Sequence, residues 1–299
     1  MQRISFYDQI RKNKRNSILL VIPITAIVIG LLFVIGYLLA PELLLFIVVF
    51  GIVWMVFQAM ISYQYGDRAV LSVMKAKPAD PVKHIYLINT VEGLSLAAGI
   101  PPPKVYVIES DEINAFAVGR DPQHAAIGVT TGALENLNRV ELEGVIGHEI
   151  SHIRNYDIRF MTMIAVFVGF AAILSYLLLR GALFAGGSQR KERGGGMAAV
   201  LILVGLLLAV IAPIATRLVQ AMISRRREYL ADASAVELTR YPEGLASALE
   251  KIMKKNQGKM EVSEAISHLF FTDPKRSPLD DLFATHPPIS ERIKILRQM

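Results

Sequence analysis

The chain has 299 residues, of which 53% are hydrophobic and 19% are charged, and it contains no cysteine. An average soluble domain is less apolar and more charged, so the composition favours a membrane protein and excludes a disordered chain. The absence of cysteine excludes disulfide scaffolds, cysteine-based zinc ribbons, iron–sulfur clusters and thiol nucleophiles. The net charge of +6 is better explained by basic flanks of membrane segments than by nucleic-acid binding, because no nucleic-acid motif occurs.

Four apolar segments are each long enough to span a membrane, namely residues 17–39, 43–62, 160–179 and 198–216. The first two are separated only by Ala40-Pro41-Glu42 and are predicted to form a helical hairpin. None of the four contains an ionisable side chain, which counts against a transporter or channel.

The basic residues that flank these segments predict the orientation. If both termini lie in the cytoplasm, most of these basic residues are cytoplasmic, in residues 1–15 and at the cytoplasmic ends of the four segments. The glycine-rich segment 180–196 also carries four basic residues, although this topology places it outside. An alternative is that the third and fourth segments form a hairpin only partly in the membrane.

The same topology divides the chain into four parts. Residues 1–62 are the N-terminal tail and transmembrane hairpin, and residues 159–216 are a second hydrophobic hairpin. Residues 63–158 and 217–299 are then both cytoplasmic, and together they have the size of an ordinary domain. We therefore predict an α-helical, multi-pass membrane protein with an α+β cytoplasmic domain made of two pieces.

Turn and capping signals predict the elements of that domain. Residues 84–98 form a helix that Gly99 and three prolines stop. A small sheet of hairpin type follows, with strands at residues 105–108, 115–118 and 125–130. A second helix begins at Asn138, where Glu141 completes a capping box, and runs to about Asn155. The second piece is predicted to be helical throughout.

The helix that begins at Asn138 contains the sequence His148-Glu149-Ile150-Ser151-His152. Histidines at positions i and i+4 lie on one face of a helix, so both imidazoles can reach one tetrahedral zinc ion. Glu149 lies beside the first ligand and can take a proton from a water that the metal activates for attack on a carbonyl.

A catalytic zinc site needs a third protein ligand and keeps one position open. No histidine matching the third metzincin ligand follows His152, and without cysteine the remaining donors are His, Asp and Glu. The candidate is Glu228, with Asp232 one turn later on the same face as a partner for a zinc-binding imidazole. By itself, an acidic pair of this spacing is usually a solvated helix face.

The spacing from the apolar segments places both half-sites near one membrane face. His152 lies about 10 Å before the third segment, and Glu228 lies about 18 Å after the fourth, if both stretches are helical. The active site is therefore expected just beneath the bilayer, within reach of cytoplasmic loops and tails of membrane proteins.

Over essentially its whole length, the chain resembles the HtpX family of membrane-bound zinc metalloproteases, relatives of the CAAX prenyl proteases. The resemblance implies a zincin-like catalytic domain with one Zn²⁺ per chain, Glu228 as the third ligand and Asp232 as its partner. The C-terminal sequence His286-Pro287-Pro288-Ile289-Ser290-Glu291-Arg292 is similar to a family motif whose histidine and arginine steady the oxyanion. It therefore implies that role for His286 and Arg292.

The resemblance also extends to the sequence Asn114-Ala115-Phe116-Ala117, which is similar to the edge strand of the family's active site. A strand with an open edge can pair with an extended substrate backbone whatever its sequence. The resemblance implies a protease of the inner membrane with its catalytic domain on the cytoplasmic side. Its partners would be membrane lipid and protein substrates, especially membrane proteins, in quality control and the stress response, and not nucleic acid.

Three other hypotheses remain open at this stage. An intramembrane protease of the site-2 type would place the motif inside an apolar span, whereas Glu141, Glu143, Arg154 and Asp157 surround it here. A CAAX-type prenyl protease would ordinarily need more spans. A catalytically idle scaffold with a structural zinc would usually close the site with four protein ligands.

Overall fold

The computed structural model describes residues 41–159, 161–163, 165–166, 225–260, 262, 264–272, 274 and 287–299, with the single residues 29, 33, 37, 176, 180 and 205. The candidate His286 lies outside the described residues, as do most of the predicted spans 17–39, 160–179 and 198–216 and the glycine-rich segment after residue 180.

A long helix, α1 (Leu44–Val73), follows a 3₁₀ turn at Pro41–Leu43. Among the described residues, Pro41–Val73 is the one helix long and apolar enough to cross a membrane, with a mean hydropathy of 2.6. Its most apolar stretch is not buried within the protein. The helix continues past the predicted boundary at residue 62, and Val70 and Leu71 near its end are buried. One continuous helix therefore joins the candidate span to the core of the domain.

Four short strands form one mixed sheet in the order β1-β2-β4-β3. They are β1 (Lys77–Pro78), β2 (Lys104–Ile108), β3 (Ala115–Gly119) and β4 (Ala125–Thr130). β3 and β4 form the expected antiparallel hairpin, whereas β2 runs parallel to β4. The prediction of a purely hairpin-type sheet is therefore wrong for β2, because the chain after β2 crosses to the far edge before it returns as β4.

Alternate residues of the strands enter two different cores. Ala115, Ala117 and Ile127 pack in the larger core with the helices, whereas Phe116 and Val118 pack in a second core with the end of α1. Both faces of the sheet are thus covered, which explains why β3 and β4 read as continuous apolar runs.

Helix α4 is the central element of the larger core. It follows α2 (Ile85–Ala98) and α3 (Thr131–Asn136) and spans Arg139–Arg154. The predicted capping box is present, since Asn138 Oδ1 accepts from the Glu141 amide at 3.0 Å and Glu141 Oε2 accepts from the Asn138 amide at 2.7 Å. These two bonds fix the start of the helix.

The second piece of the chain supplies four helices, α5 (Arg225–Thr239), α6 (Pro242–Lys255), α7 (Glu264–Ser267) and α8 (Ile289–Leu296). α4 packs against α5 and α6 on one side and against α2 and β3 on others. At Gly144 the approach is so close that a Cβ atom would lie 2.7 Å from the Leu245 amide nitrogen. The two pieces of the chain therefore share one core, with α4 at its centre.

Candidate active site

Helix α4 carries His148, Glu149 and His152 into the interior, where they are 0%, 1% and 6% exposed. Buried polar side chains require partners, so three of them within two turns of one helix indicate a built site. The partners come from α5, which packs along α4 and is equally buried at Glu228 and Asp232.

The two histidines and Glu228 converge on one point. The Nε2 atoms of His148 and His152 are 3.0 Å apart, and each lies 3.6 Å from a carboxylate oxygen of Glu228. With zinc–nitrogen bonds of 2.0–2.1 Å, tetrahedral ligand atoms are separated by about 3.3 Å. The separations found in the structure bracket this value, so the donor set fits a single zinc ion.

Carboxylates at the other ring nitrogens orient the two imidazoles. His148 Nδ1 lies 2.9 Å from Asp232 Oδ1, and His152 Nδ1 lies 3.1 Å from Asp157 Oδ2. A carboxylate at Nδ1 holds the proton there and turns the Nε2 lone pair toward the metal position. Both histidines are thus arranged as Nε2 ligands.

The protonation of the two histidines is set differently. Burial lowers the pKa of His148 to about 4, although Asp232 opposes the shift. Burial also disfavours the charged form of His152, but the hydrogen bond to Asp157 and the charge of Glu228 more than offset it and raise its pKa to about 9. The surroundings thus favour the neutral form of His148 and the charged form of His152, and a cation bound at the Nε2 atoms would compete with the His152 proton.

Asp232 is itself held by Arg292 from α8. Arg292 Nη2 donates to Asp232 Oδ1 at 2.7 Å, and Nε donates to Oδ2 at 2.9 Å. Burial would raise the pKa of the Asp232 carboxyl, but the Arg292 charge and these bonds lower it to about 2. The bidentate pair therefore keeps Asp232 ionised against His148.

Arg292 also lies close to the candidate ligand Glu228, with Nη1 4.0 Å from Glu228 Oε2. Its guanidinium is fully buried, donates from Nη1 to the Phe271 carbonyl at 3.4 Å and lies 4.8 Å from the centre of the Phe271 ring. It does not line the cavity beside the histidines. The contacts of the described residues therefore give Arg292 a role in holding Asp232, and its role at the oxyanion stays a prediction.

Glu149 faces a small cavity of about 10 Å³ that His148, His152 and Phe270 also line. The Ala117 amide donates to the carboxylate, and burial raises the pKa of Glu149 to about 8. Its Oε1 atom has no hydrogen-bond partner among the described residues. A cavity of this size holds one water at most, and a cation beside it would draw the Glu149 pKa down.

The edge of β3 is closed where an open edge was expected. The Phe271 amide donates to the Ala115 carbonyl at 2.8 Å, and Phe270 pairs with Phe116 in an antiparallel bridge. The Asn114 side chain donates to the Thr272 carbonyl at 3.0 Å and also accepts from its amide. Residues 270–272, called the covering segment below, therefore occupy the edge along Asn114, Ala115 and Phe116 at which a substrate strand was predicted to bind.

Two residues of the site were not predicted from the sequence. Asp157 lies just beyond α4, and Tyr156, with a φ of 61°, turns the chain so that Asp157 comes back to His152. The sequence signal for Asp157 was an acidic residue five positions after His152. Phe271 packs edge-on against His148 with ring centres 4.8 Å apart, and nothing in its sequence context predicted this.

Comparison with known proteins agrees with this geometry. The model of peptidase family M48 matches residues 81–299. A "Protease HtpX homolog" of Caldanaerobacter subterraneus subsp. tengcongensis is 46% identical over 84% of each chain. A homologue of that name from Thermoanaerobacter pseudethanolicus is 42% identical over 100% of this chain and 99% of its own.

Among solved structures, S. mikatae Ste24p aligns with a TM-score of 0.51 and 20% identity, over 95% of this chain and 66% of its own length. That likeness concerns the fold alone. The family match, which covers both the motif of α4 and the ligand of α5, decides the identity. The chain belongs to peptidase family M48, and within it to the HtpX metalloproteases.

Proposed function

We propose that the protein is a membrane-anchored, zinc-dependent endopeptidase in which His148, His152 and Glu228 hold the metal and Glu149 is the general base. The observation that carries the proposal is the placement of the buried Glu149 carboxylate in the same cavity as the two histidines. A structural zinc site would have no use for an unpaired carboxylate oxygen beside its ligands.

Zinc bound there would polarise the peptide carbonyl and lower the pKa of a water toward about 7. The chain's own groups do the rest. Glu149 takes the proton of the attacking water and delivers it to the leaving amine. Asp232 and Asp157 keep the two imidazoles in the ligating orientation. As the family resemblance implies, we assign stabilisation of the developing oxyanion to His286 and Arg292.

Asn114, Ala115, Phe116 and Ala117 are proposed to bind the substrate backbone as an added strand. Support comes from the Ala117 amide, which donates to Glu149 and so places β3 directly beside the proposed base. Since the covering segment pairs with the same edge, it must leave before a peptide can bind at Ala115 and Phe116.

The membrane placement belongs to the same proposal. Residues 1–62 and 159–216 would supply four spans, and residues 63–158 and 217–299 the protease domain on the cytoplasmic side of the inner membrane. The exposed apolar stretch of α1 supports an anchored domain, because a soluble protein would bury it. Substrates would be membrane proteins with cytoplasmic loops or tails, or misfolded proteins, in quality control.

The proposal is tested with the full chain in detergent and an unfolded model protein as substrate. We expect cleavage that a chelator abolishes. Glu149→Gln should keep its zinc, as elemental analysis would report, and lose about 10²–10⁴-fold in kcat.

Glu143→Gln is the matched control, since Glu143 lies on the same helix but accepts a hydrogen bond from Tyr86 outside the site. It should cleave at the wild-type rate. Cleavage by Glu149→Gln at the rate of the control would contradict the assignment of the base. Tightly bound zinc with no cleavage by the wild type would favour a scaffold.

A further inference from the structure

A second cavity, of about 210 Å³, lies away from the proposed zinc site, between the end of the apolar stretch of α1, the β3–β4 turn and the residues Arg159, Thr162 and Met163. We propose that this cavity, called the basic cavity below, binds the phosphate-bearing headgroup of an anionic phospholipid. The inference goes beyond the proteolytic function and rests on the proposed membrane placement of α1 and of the apolar segment 160–179.

The charge of the lining points to an anion. Four cationic side chains line the basic cavity, Arg68, Lys104, Arg120 and Arg159, against the single carboxylate of Asp67. Arg120 approaches the neighbouring Asp121 at 3.7 Å. In the part of the chain that the structure describes, no salt bridge neutralises the other three cations. Several cations that converge without acids are typical of a phosphate site.

Tyrosine rings hold the arginines in place. Arg120 and Arg159 lie over the same Tyr63 ring, at 5.6 and 5.8 Å from its centre, and Arg68 lies 5.6 Å from the centre of Tyr65. Arg120 Nη1 also donates to Gln64 Oε1 at 2.5 Å. Cation–π contacts leave guanidinium N–H groups available to a ligand. The half-buried Arg120 and Arg159 form the built part of the cationic site, and Arg68 and Lys104 line it from exposed positions.

The position along α1 identifies the source of the phosphate. The apolar stretch from Leu44 to Ser62 is about 27 Å long as a helix, close to the thickness of the hydrocarbon core. Tyr63 and Tyr65 follow it directly, as aromatic residues do at the level of lipid headgroups. Arg159 likewise immediately precedes the apolar segment 160–179. Two apolar segments thus end at the rim of the basic cavity, which places it at headgroup depth.

The test measures lipid binding to the full chain in detergent by native mass spectrometry. The chain carries Glu149→Gln, so the result does not depend on proteolysis. The probes are short-chain phosphatidylglycerol, phosphatidylcholine of the same chain length, and glycerol 3-phosphate. We expect phosphatidylglycerol to bind at least about tenfold more tightly than the other two, because only it combines the charge with the bilayer position.

Two charge-removing variants locate the site. Arg120→Gln/Arg159→Gln and Arg68→Gln/Lys104→Gln should each weaken phosphatidylglycerol binding by about 10- to 30-fold. If the first double variant fails to fold, the second still tests the site. Among the described residues, the side chains of Arg68 and Lys104 form no hydrogen bond that would stabilise the fold. Arg11→Gln/Lys12→Gln, which removes two charges from the basic N-terminal tail, should leave the affinity unchanged.

Three results would overturn the inference. Equal binding of phosphatidylcholine would remove the need for charge. An equal loss in the N-terminal control variant would indicate general attraction to basic flanks. Glycerol 3-phosphate binding as tightly as the lipid would assign the cavity to a soluble phosphate instead.

Discussion

At the scale of single residues, three buried side chains form a hydrogen-bonded series that ends at the proposed metal position. Arg292 binds Asp232 through two hydrogen bonds, and Asp232 binds the far nitrogen of His148. Burial alone would lower the pKa of Arg292, but Asp232 raises it. The charge state of each side chain therefore depends on its neighbour in the series. A conservative substitution of Asp232 should affect both Arg292 and His148.

Asp232→Asn tests this dependence, since it keeps the shape of the side chain and removes its charge. We expect zinc affinity to fall by about 10- to 100-fold, because the imidazole exchanges a charged carboxylate acceptor for a weaker, neutral amide oxygen. We also expect about 3–5 kcal/mol less stability, because the buried Arg292 loses its nearest counter-charge. Chelator competition measures the first effect, and denaturant unfolding measures the second.

Glu243→Gln is the control, because that carboxylate forms an exposed pair with Arg297 at 2.8 Å, with both side chains more than 40% exposed. It should change stability by less than about 1 kcal/mol and leave zinc binding unaltered. Zinc affinity of Asp232→Asn equal to that of the control would mean that the carboxylate does not orient His148.

The residues nearest the metal were the most predictable from sequence. The spacing of His148 and His152 is a property of one helix, so the motif alone predicts that they share a face. Glu228 required the position of α5 relative to α4, and the family resemblance supplied it. Asp157 was missed because its approach depends on the left-handed backbone at Tyr156, which local propensity does not favour for a non-glycine residue.

At the scale of secondary-structure elements, β3 has two sides with different partners. One side pairs with β4. On the other side, the Ala115 carbonyl accepts a hydrogen bond from the Phe271 amide. The amides of Ala117 and Gly119 donate to the side chains of Glu149 and Thr162. The strand was predictable from its composition, but its closed edge was not. The covering segment lies more than a hundred residues later, and nothing in its own sequence indicates a strand partner.

The absence of cysteine allows a direct test of the covering segment. Phe116 and Phe270 are antiparallel partners, whose Cα atoms are about 4.5–5.5 Å apart, within the range of a disulfide at about 4.4–6.8 Å. The double variant Phe116→Cys/Phe270→Cys should cleave at least about tenfold more slowly when oxidised. The disulfide would hold the covering segment on β3, so the edge of β3 would not be available to substrate in any molecule. Reductant should restore the rate, as a fluorogenic protein substrate would report.

The single variant Phe270→Cys, treated with the same oxidant and reductant, separates the lock from the loss of the aromatic ring. Its rate should not respond to redox state. If the oxidised double variant cleaves as fast as its reduced form, substrate does not need the edge at Phe116.

The helices and the sheet differ in how far local sequence determines them. The capping box of Asn138 and Glu141 fixes the start of α4 from within four residues, so its prediction was confirmed. The direction of β2 depends on which strand lies beside it, and a parallel pair with β4 leaves no turn signal in the sequence.

At the scale of the whole molecule, the proposed metal joins two distant parts of one chain. His148 and Asp232, which meet at the site, are 84 residues apart along the sequence. The helices that carry them also pack directly on each other, so the metal adds to a contact that exists without it. Zinc should therefore raise the stability of the folded protein without being required for folding.

Removal of the metal tests this expectation. At a free zinc concentration about a hundredfold above Kd, binding adds about 2.7 kcal/mol to stability, so a chelator should lower Tm by about 5–10 °C. Scanning calorimetry of the full chain in detergent provides the measurement. Glu228→Gln should show a much smaller response to chelator. A wild-type Tm that stays constant after complete loss of zinc would contradict the proposed ligand set.

The order of the ligands along the chain has a consequence for biosynthesis. A ribosome delivers the N-terminal part of a protein first, so both histidines of α4 leave it before the apolar residues 160–216 and before Glu228. If Glu228 is the third ligand, as proposed, the nascent chain holds two of the three ligands throughout that interval. On that assignment, the chain would complete its metal centre only after its last apolar segment has been made, and it could not cleave itself or a neighbouring protein before then.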